Sequence, residues 1–251
     1  MKTPVALSIA GSDPSGGAGI QADLKTFHRF GVYGEAVITL ITVQNTHGVH
    51  RVKVLDSELV REQIQAVLED IPPNAAKTGA LGNRAVMQAV AQIDFPCPLV
   101  VDPVVMSTSG ARLGESIDLL LPRALLVTPN LDEASALAGF PVTDLDSMHR
   151  AAEKIFSMGP KNVLIKGGHL QGDATDLLFD GAFHKFSAPR HETRHTHGTG
   201  CTYSAAITAE LAKGSGLIAA IRAAKNFVSA AIASHPTLGR GAGPLDHFAK
   251  S

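Results

Sequence analysis

The stretch VALSIAGSDPSGGAGIQADLKTFHRF, Val5–Phe30, decides the fold class. Val5–Ala10 is an apolar run that reads as a strand buried on both faces. Gly11-Ser12-Asp13-Pro14-Ser15-Gly16-Gly17-Ala18-Gly19 is a glycine-rich loop, and Gln21–Phe30 reads as a helix. Moving outward, the same alternation continues. Ala36–Val43 is a second strand-like run. Ser57 could cap a helix in which Val60, Ile64, Val67, Leu68 and Ile71 form one apolar stripe, stopped by Pro72-Pro73. Ala75–Thr78 is a short strand. Asn83 could cap a helix carrying Val86, Met87, Val90 and Ile93 on one face. Leu99–Asp102, Ala124–Thr128 and Val163–Lys166 read as buried strands, and Ser147–Met158 as a helix stopped at Gly159. Two Ala-rich helical patterns, near 201–213 and 217–234, follow.

Strands separated by helices predict an α/β fold with a mostly parallel central sheet covered by helices on both faces. One exception is expected. Leu177–Phe179 and Ala182–Phe186 flank Asp180-Gly181, a two-residue hairpin signal, so the sheet turns antiparallel near residues 175–188. No repeat or linker divides the chain, and one domain spanning 1–251 is the expectation.

Composition narrows the function. Lys plus Arg is 22 against 23 for Asp plus Glu, net charge -1. A protein that works by neutralising a nucleic-acid backbone shows a basic excess instead. The apolar share is 45% with no Trp and two Tyr, which gives an aliphatic core. Two cysteines, Cys97 and Cys201, make no disulfide framework and suit a reducing compartment. No run of about 18 apolar residues predicts a membrane span, and the N-terminal apolar stretch is too short for a signal peptide. The expected location is cytoplasmic. Gly is the informative residue: 24 of 251, above the ordinary share of roughly 7%.

In an open parallel sheet, ligands bind beyond the carboxyl ends of the strands. The residues there are Gly11–Asp13, Gln44, Lys77–Gly79, Asp102, Asn130 and Lys166–His169. His197-Gly198-Thr199-Gly200-Cys201-Thr202 precedes an apolar helix. Such a turn exposes backbone N–H groups and the positive end of the helix dipole, a ready anion site. The alternative is an ordinary loop with Thr199 or Thr202 as cap. Cys201, in the first turn, would have its thiol pKa lowered by the dipole and could act as general base; otherwise it is a small buried residue. Asp102 and Glu133 follow strands, where carboxylates suit Mg²⁺ held largely through water; Glu133 equally suits a helix N-terminus. Lys166 offers a point charge for nucleotide phosphates, or is a solvated strand-end lysine. His191, His195 and His197 lack metal-ligand spacing, and a zinc site is not expected.

With these residues in view the chain resembles the phosphomethylpyrimidine kinases of thiamine biosynthesis, a branch of the ribokinase-like superfamily. The resemblance rests on Ile9–Phe27, Gln44-Asn45-Thr46, Lys77-Thr78-Gly79, Asp102-Pro103-Val104, Thr128–Leu131 with Glu133-Ala134, Lys166–His169, Ser187–Arg190 and Thr196–Thr202. It implies ATP- and Mg²⁺-dependent phosphorylation of 4-amino-5-hydroxymethyl-2-methylpyrimidine and then of its monophosphate. It implies pyrimidine-binding positions at Gly11, Asp23 and Gln44, with Val104 as a pocket wall. The amide of Gln44 complements an aminopyrimidine edge. It further implies an anion hole at Gly198 and Gly200, a catalytic position at Cys201 and a phosphate-side lysine at Lys166. Asn130 and Thr199 fall on the nucleotide side, and Asp102 and Glu133 on the Mg²⁺ side. A homodimer is plausible by likeness.

Three departures bear on substrate breadth. Ala80 stands where many relatives have Met, Thr108 where some have Lys, and Thr42 adds a hydroxyl near the ring. A vitamin B6 kinase acting on pyridoxal-type rings is the competing expectation.

Overall fold

The computed structural model describes residues 2–107, 110–115, 117–168 and 172–250. Thr108 and His169, singled out above, lie outside the described residues. The strands are β1 (Val5–Ser12), β2 (Tyr33–Asn45), β3 (Gly48–Val54), β4 (Ala75–Thr78), β5 (Leu99–Val101), β6 (Leu126–Val127), β7 (Val163–Ile165), β8 (Ala174–Phe179) and β9 (Phe183–Ala188). The helices are α1 (Gly19–Arg29), α2 (Ser57–Asp70), α3 (Arg84–Ala91), α4 (Leu131–Ala138), α5 (Leu145–Phe156), α6 (Thr199–Ala212) and α7 (Leu217–Ala233).

Among the described residues these nine strands form one sheet in the order β3-β2-β1-β4-β5-β6-β7-β8-β9. The six strands from β2 to β7 in that order are parallel. The predicted hairpin is present: β8 runs antiparallel to β7 and to β9, with Gly181 in the left-handed region of the turn at φ 106°. A second antiparallel edge, β2 with β3, was not expected. β3 alternates polar and apolar residues as a solvent-facing edge does, but its turn carries no Asn-Gly or Asp-Gly pair.

Buried side chains alternate across the sheet. Leu7, Ile9, Val101, Val127 and Ile165 pack with Val60, Met87, Ala134 and Met148 of α2–α5. Val100, Leu126, Leu164 and Leu178 pack with Ile207, Ile221 and Phe227 of α6 and α7. Ala6 and Ala75 meet Phe27 of α1 and Ala205 and Ala209 of α6. This two-sided burial is why the strands read as unbroken apolar runs.

Helix boundaries differ from expectation where a carboxylate outcompetes a hydroxyl. Asp56, not Ser57, caps α2 by accepting from the N–H groups of Glu58 and Leu59. Asp144 caps α5 in a reciprocal box with Ser147, which starts that helix at Leu145. Asn83 caps α3 as predicted.

The parallel strands share one direction, so their carboxyl ends lie along one rim of the sheet. β8 starts and β9 ends at that rim because both neighbouring pairings are antiparallel. The polar strand-end residues therefore line up across the molecule.

Candidate active site

A cavity of about 1010 Å³ runs along this rim. Gly11, Gln44, Ala80 and Val104 line the end nearest β1 and β2. Asp102, Asn130, Glu133, Lys166 and Gly198–Cys201 line the middle, and Ala188, Ser229 and Ile232 the end nearest β9 and α7. That volume is at the upper end for a small-molecule site, roughly 300–1,000 Å³, and leaves room for two substrates side by side.

Asp102 is the centre of the charged cluster and is 1% exposed. Its Oδ1 accepts from Lys166 Nζ at 2.9 Å and from Thr128 Oγ1 at 3.1 Å. Its Oδ2 accepts from Ser204 Oγ at 3.1 Å. Burial opposes the Asp102 charge, but Lys166, Lys77 and these donors outweigh it and hold the carboxyl below its usual range. Burial likewise works against the Lys166 ammonium, and Asp102 and Glu133 more than offset it. The result is a fixed cation at the cavity wall. Ser204 had no sequence signal, because the fold alone brings α6 to Asp102; Thr128 was part of the family resemblance but had no role assigned.

Gly198 precedes α6 at φ +81°, so the cap is a left-handed glycine and neither threonine caps the helix. Thr199 Oγ1 instead donates to Thr196 O at 2.7 Å, and Thr202 Oγ1 meets His247 Nε2 at 3.2 Å. A Cβ on residue 198 would collide with Gly17 O, so the two glycine-rich loops interlock. A Cβ on residue 200 would lie 3.2 Å from Lys166 Nζ and 3.8 Å from Asp102 Oδ2. Glycine keeps that space open between the lysine and the helix N-terminus. The first N–H groups of a helix have no partner in the preceding turn. With Lys166 beside them, they make a positively polarised corner of the cavity, chemically suited to an anion.

Cys201 departs from expectation. Its thiol is pushed up to about 11 by burial, with Asp23 and Asp102 adding to the effect; Lys77 and an N–H bond from Gly19 only partly offset this. The helix dipole was legible in the sequence, while the two carboxylates brought in from α1 and the end of β5 were not.

Glu133 takes the helix-cap role left open for it. Its Oε2 accepts from Asn130 N–H at 2.8 Å while Asn130 Oδ1 accepts from Glu133 N–H at 2.9 Å, a capping box at the start of α4. It also lines the cavity. Burial raises its carboxyl to about 7, with Lys166 pulling it down and Asp102 pushing it up. Two neighbouring carboxylates, one of them left short of cationic partners, fit a divalent ion that keeps most of its waters. Among the described residues no group of three or more acidic, His or Cys side chains is placed to hold a metal ion directly. The three loop histidines part: His191 meets Ser229, His195 stacks on His235, and His197 turns to Asp13.

A family profile described as Phosphomethylpyrimidine kinase matches residues 13–246. The hydroxymethylpyrimidine/phosphomethylpyrimidine kinase of Bacillus subtilis is 48% identical over 97% of this chain and 94% of that protein. Its counterpart in Rhizobium meliloti is 50% identical over 98% and 97%. The chain belongs to the phosphomethylpyrimidine kinase family.

Among solved structures, a pyridoxal kinase from Staphylococcus aureus bound to pyridoxal superposes with a TM-score of 0.92 at 36% identity, covering 99% of this chain and 95% of that one. A phosphomethylpyrimidine kinase from Clostridium difficile superposes with a TM-score of 0.80 at 41% identity, covering 92% and 100%. The fold is therefore the ribokinase-like one these kinases share.

Of the positions carried over from the family, Gly11, Gln44 and Val104 line the cavity. Asp23 does not. It is wholly buried, accepting from Lys77 Nζ at 2.8 Å and from Ser8 Oγ at 2.6 Å. Burial pushes its carboxyl up, and Lys77 and Ser8 pull against this. Lys77 is also 0% exposed. Burial disfavours its charge, yet Asp23, Cys201 and Asp102 hold its pKa above the ordinary lysine value. The Asp23–Lys77 pair thus forms a charged floor near Cys201.

Asp13 was part of the glycine loop in the sequence and is an organiser in the structure. Its Oδ1 accepts from Ser15 N–H and Ser15 Oγ, and its Oδ2 from Ala18 N–H and His197 Nε2. Burial opposes the Asp13 charge, but His197 and Ser15 outweigh it, so its pKa lies below 3.8. A depressed carboxyl stabilises the fold above its unfolded pKa and loses that contribution as pH falls through the folded value. Asp13→Asn is expected to cost about 1–3 kcal/mol at pH 7. The gap to the parent should close as pH drops below about 3.8; denaturant melts across pH 2–8 check this.

Proposed function

We propose that this chain transfers the γ-phosphoryl group of ATP to 4-amino-5-hydroxymethyl-2-methylpyrimidine and then to the resulting monophosphate, giving the diphosphate. The observation that carries this reading is the continuity of one cavity. It joins Gln44, whose amide suits an aminopyrimidine edge, to the Lys166, Asp102 and Gly198–Cys201 cluster. Solved pyridoxal kinases of the same fold are described in complex with ADP and AMP-PCP, which supports ATP as donor. Asn130 and Thr199 line the cavity beside the cluster, and this reading assigns them to the nucleotide.

Phosphoryl transfer asks mainly for positioning and charge neutralisation. Gln44 and Val104 hold the ring, with Gly11 admitting it closely: a Cβ there would already lie 2.6 Å from Leu40. Gly198 and Gly200 open the helix N-terminus to the moving phosphoryl oxygens, and Lys166 faces them, clamped by Asp102. Asp102 and Glu133 would hold Mg²⁺, which neutralises phosphate charge when bound. In the first step the nucleophile is an alcohol, and the small fraction of Cys201 present as thiolate takes its proton. In the second it is a phosphate oxygen, already ionised at neutral pH, which needs no base. Asp23 acts at one remove, by keeping Lys77 charged near the sulfur.

Vitamin B6 kinase activity is the second reading. Close superposition on pyridoxal kinases favours it, and Ala80 in the cavity wall leaves room for a ring with other substituents. The curated relatives above, at 48% and 50% identity, carry the pyrimidine kinase name, against 36% for that pyridoxal kinase. Phosphate stoichiometry tests the choice: two ADP released per pyrimidine consumed supports the proposal, and one ADP with a monophosphate end product opposes it. A cytoplasmic location and a homodimer belong to the same reading. No helix among the described residues is long and apolar enough to cross a membrane, and Tyr33, Ile41 and Val43 stay exposed along β2.

A further inference from the structure

Shape alone does not fix the chemistry of Gln44, since the oxygen and nitrogen of a primary amide are nearly the same size and are told apart by their partners. As placed, Gln44 Nε2 lies 3.2 Å from His197 Nε2 and Gln44 Oε1 lies 3.2 Å from Thr42 Oγ1, and the partners' chemistry calls for the reverse assignment. His197 Nε2 also lies 2.8 Å from Asp13 Oδ2. An ionised carboxylate only accepts, so Nε2 carries a proton and directs it to Asp13. An amide N–H₂ beside it would set donor against donor, whereas an amide oxygen shares the same N–H. Thr42 settles the other end. It has one hydroxyl proton, and Ser12 O, 3.0 Å away, only accepts. Thr42 donates there, so its oxygen must accept from Gln44. Both ends require the same orientation.

We propose that His197 and Thr42 set the sense of the Gln44 amide, oxygen toward His197 and nitrogen toward Thr42, and so fix which way round the substrate ring binds. This rests on the reading that Gln44 meets the pyrimidine edge. The ring's amino donor then lies on the His197 side and its ring-nitrogen acceptor on the Thr42 side. His197 is a positioning residue, and it is held firmly. It is 6% exposed, its backbone N–H donates to Gly243 O at 3.1 Å, and its ring packs on Gly17 so closely that a Cβ there would lie 2.5 Å from Cδ2. Thr42 is 5% exposed and tied to the end of β1. Both side chains are thus held in place beside the amide.

The test uses two rings with opposite edges. The 4-amino substrate offers a donor beside an acceptor; its 4-oxo analogue offers an acceptor beside a ring N–H donor. The parent protein should favour the amino ring strongly in kcat/KM. Thr42→Val, nearly isosteric, and His197→Phe should each reduce that preference at least about tenfold, a change of roughly 1.4 kcal/mol. The loss should appear mainly in KM. His197→Gln, which retains a donor, should keep the preference. Loss of activity toward both rings in equal proportion, with the preference unchanged in Thr42→Val, would overturn the proposal even if His197→Phe does not fold. Gln44→Ala separates the two claims. If it abolishes the preference, Gln44 reads the ring; if the preference survives, the ring reading and this proposal fall together.

Discussion

Cys201→Ala slows the first phosphorylation by about 10²–10⁴-fold, the usual contribution of a general base, and the second only a few-fold. The difference follows from the nucleophiles. An alcohol must lose its proton on attack, while the phosphate oxygen of the monophosphate has already done so. The structure adds a pH signature. Burial and the carboxylates Asp23 and Asp102 raise the thiol to about 11, so at neutral pH the sulfur carries its proton and the active thiolate is scarce. The first step should therefore accelerate as pH rises toward about 11, and the second should not. Single-turnover assays with each substrate, run across pH, measure both effects. Equal losses in the two steps would remove Cys201 from the base role and leave it as a small residue packed at the start of α6.

Lys166→Met lowers both steps together, by about 10²–10³-fold, because it removes a preorganised charge aimed at the transferred group. It carries a second cost. Asp102 is buried and takes its 2.9 Å ion pair from Lys166. Breaking a buried pair from one side destabilises by roughly 3–5 kcal/mol, and about 3 is expected here since Thr128 and Ser204 still donate to Asp102. The sign with pH is fixed by the depressed Asp102 carboxyl. Its contribution is present above the unfolded value of 3.8 and is lost as pH falls through the folded one. Denaturant melts of the variant should show less acid sensitivity than the parent. A variant that loses only one of the two steps would contradict a shared phosphate site.

Local patterns foretold much of this fold. The apolar runs at Val5–Ala10 and Ala75–Thr78, the Asn83 cap and the Asp180-Gly181 turn are all signals carried by neighbours in the chain, and each appears where expected. The β2–β3 edge was missed because its turn lacks the glycine pair that marks tight hairpins. The site was legible as a set of strand-end residues and glycine loops. Its electrostatics were not, because they arise between elements far apart in sequence. Asp23 looked like a ring contact and turned out to be the buried partner of Lys77. Cys201 looked like a lowered thiol and is a raised one, because the fold buries it and brings two carboxylates near it. His197 read as a loop residue of the phosphate site, and its ring in fact reaches 184 positions back to Asp13.

Incubating the purified chain with ATP and Mg²⁺, side by side with 4-amino-5-hydroxymethyl-2-methylpyrimidine and with pyridoxal, tests the central claim most directly when products are identified by mass. The account predicts a pyrimidine monophosphate that gives way to the diphosphate, with kcat/KM for the pyrimidine exceeding that for pyridoxal. Pyridoxal phosphate as the favoured product, or no ligand-dependent release of ADP, would contradict it.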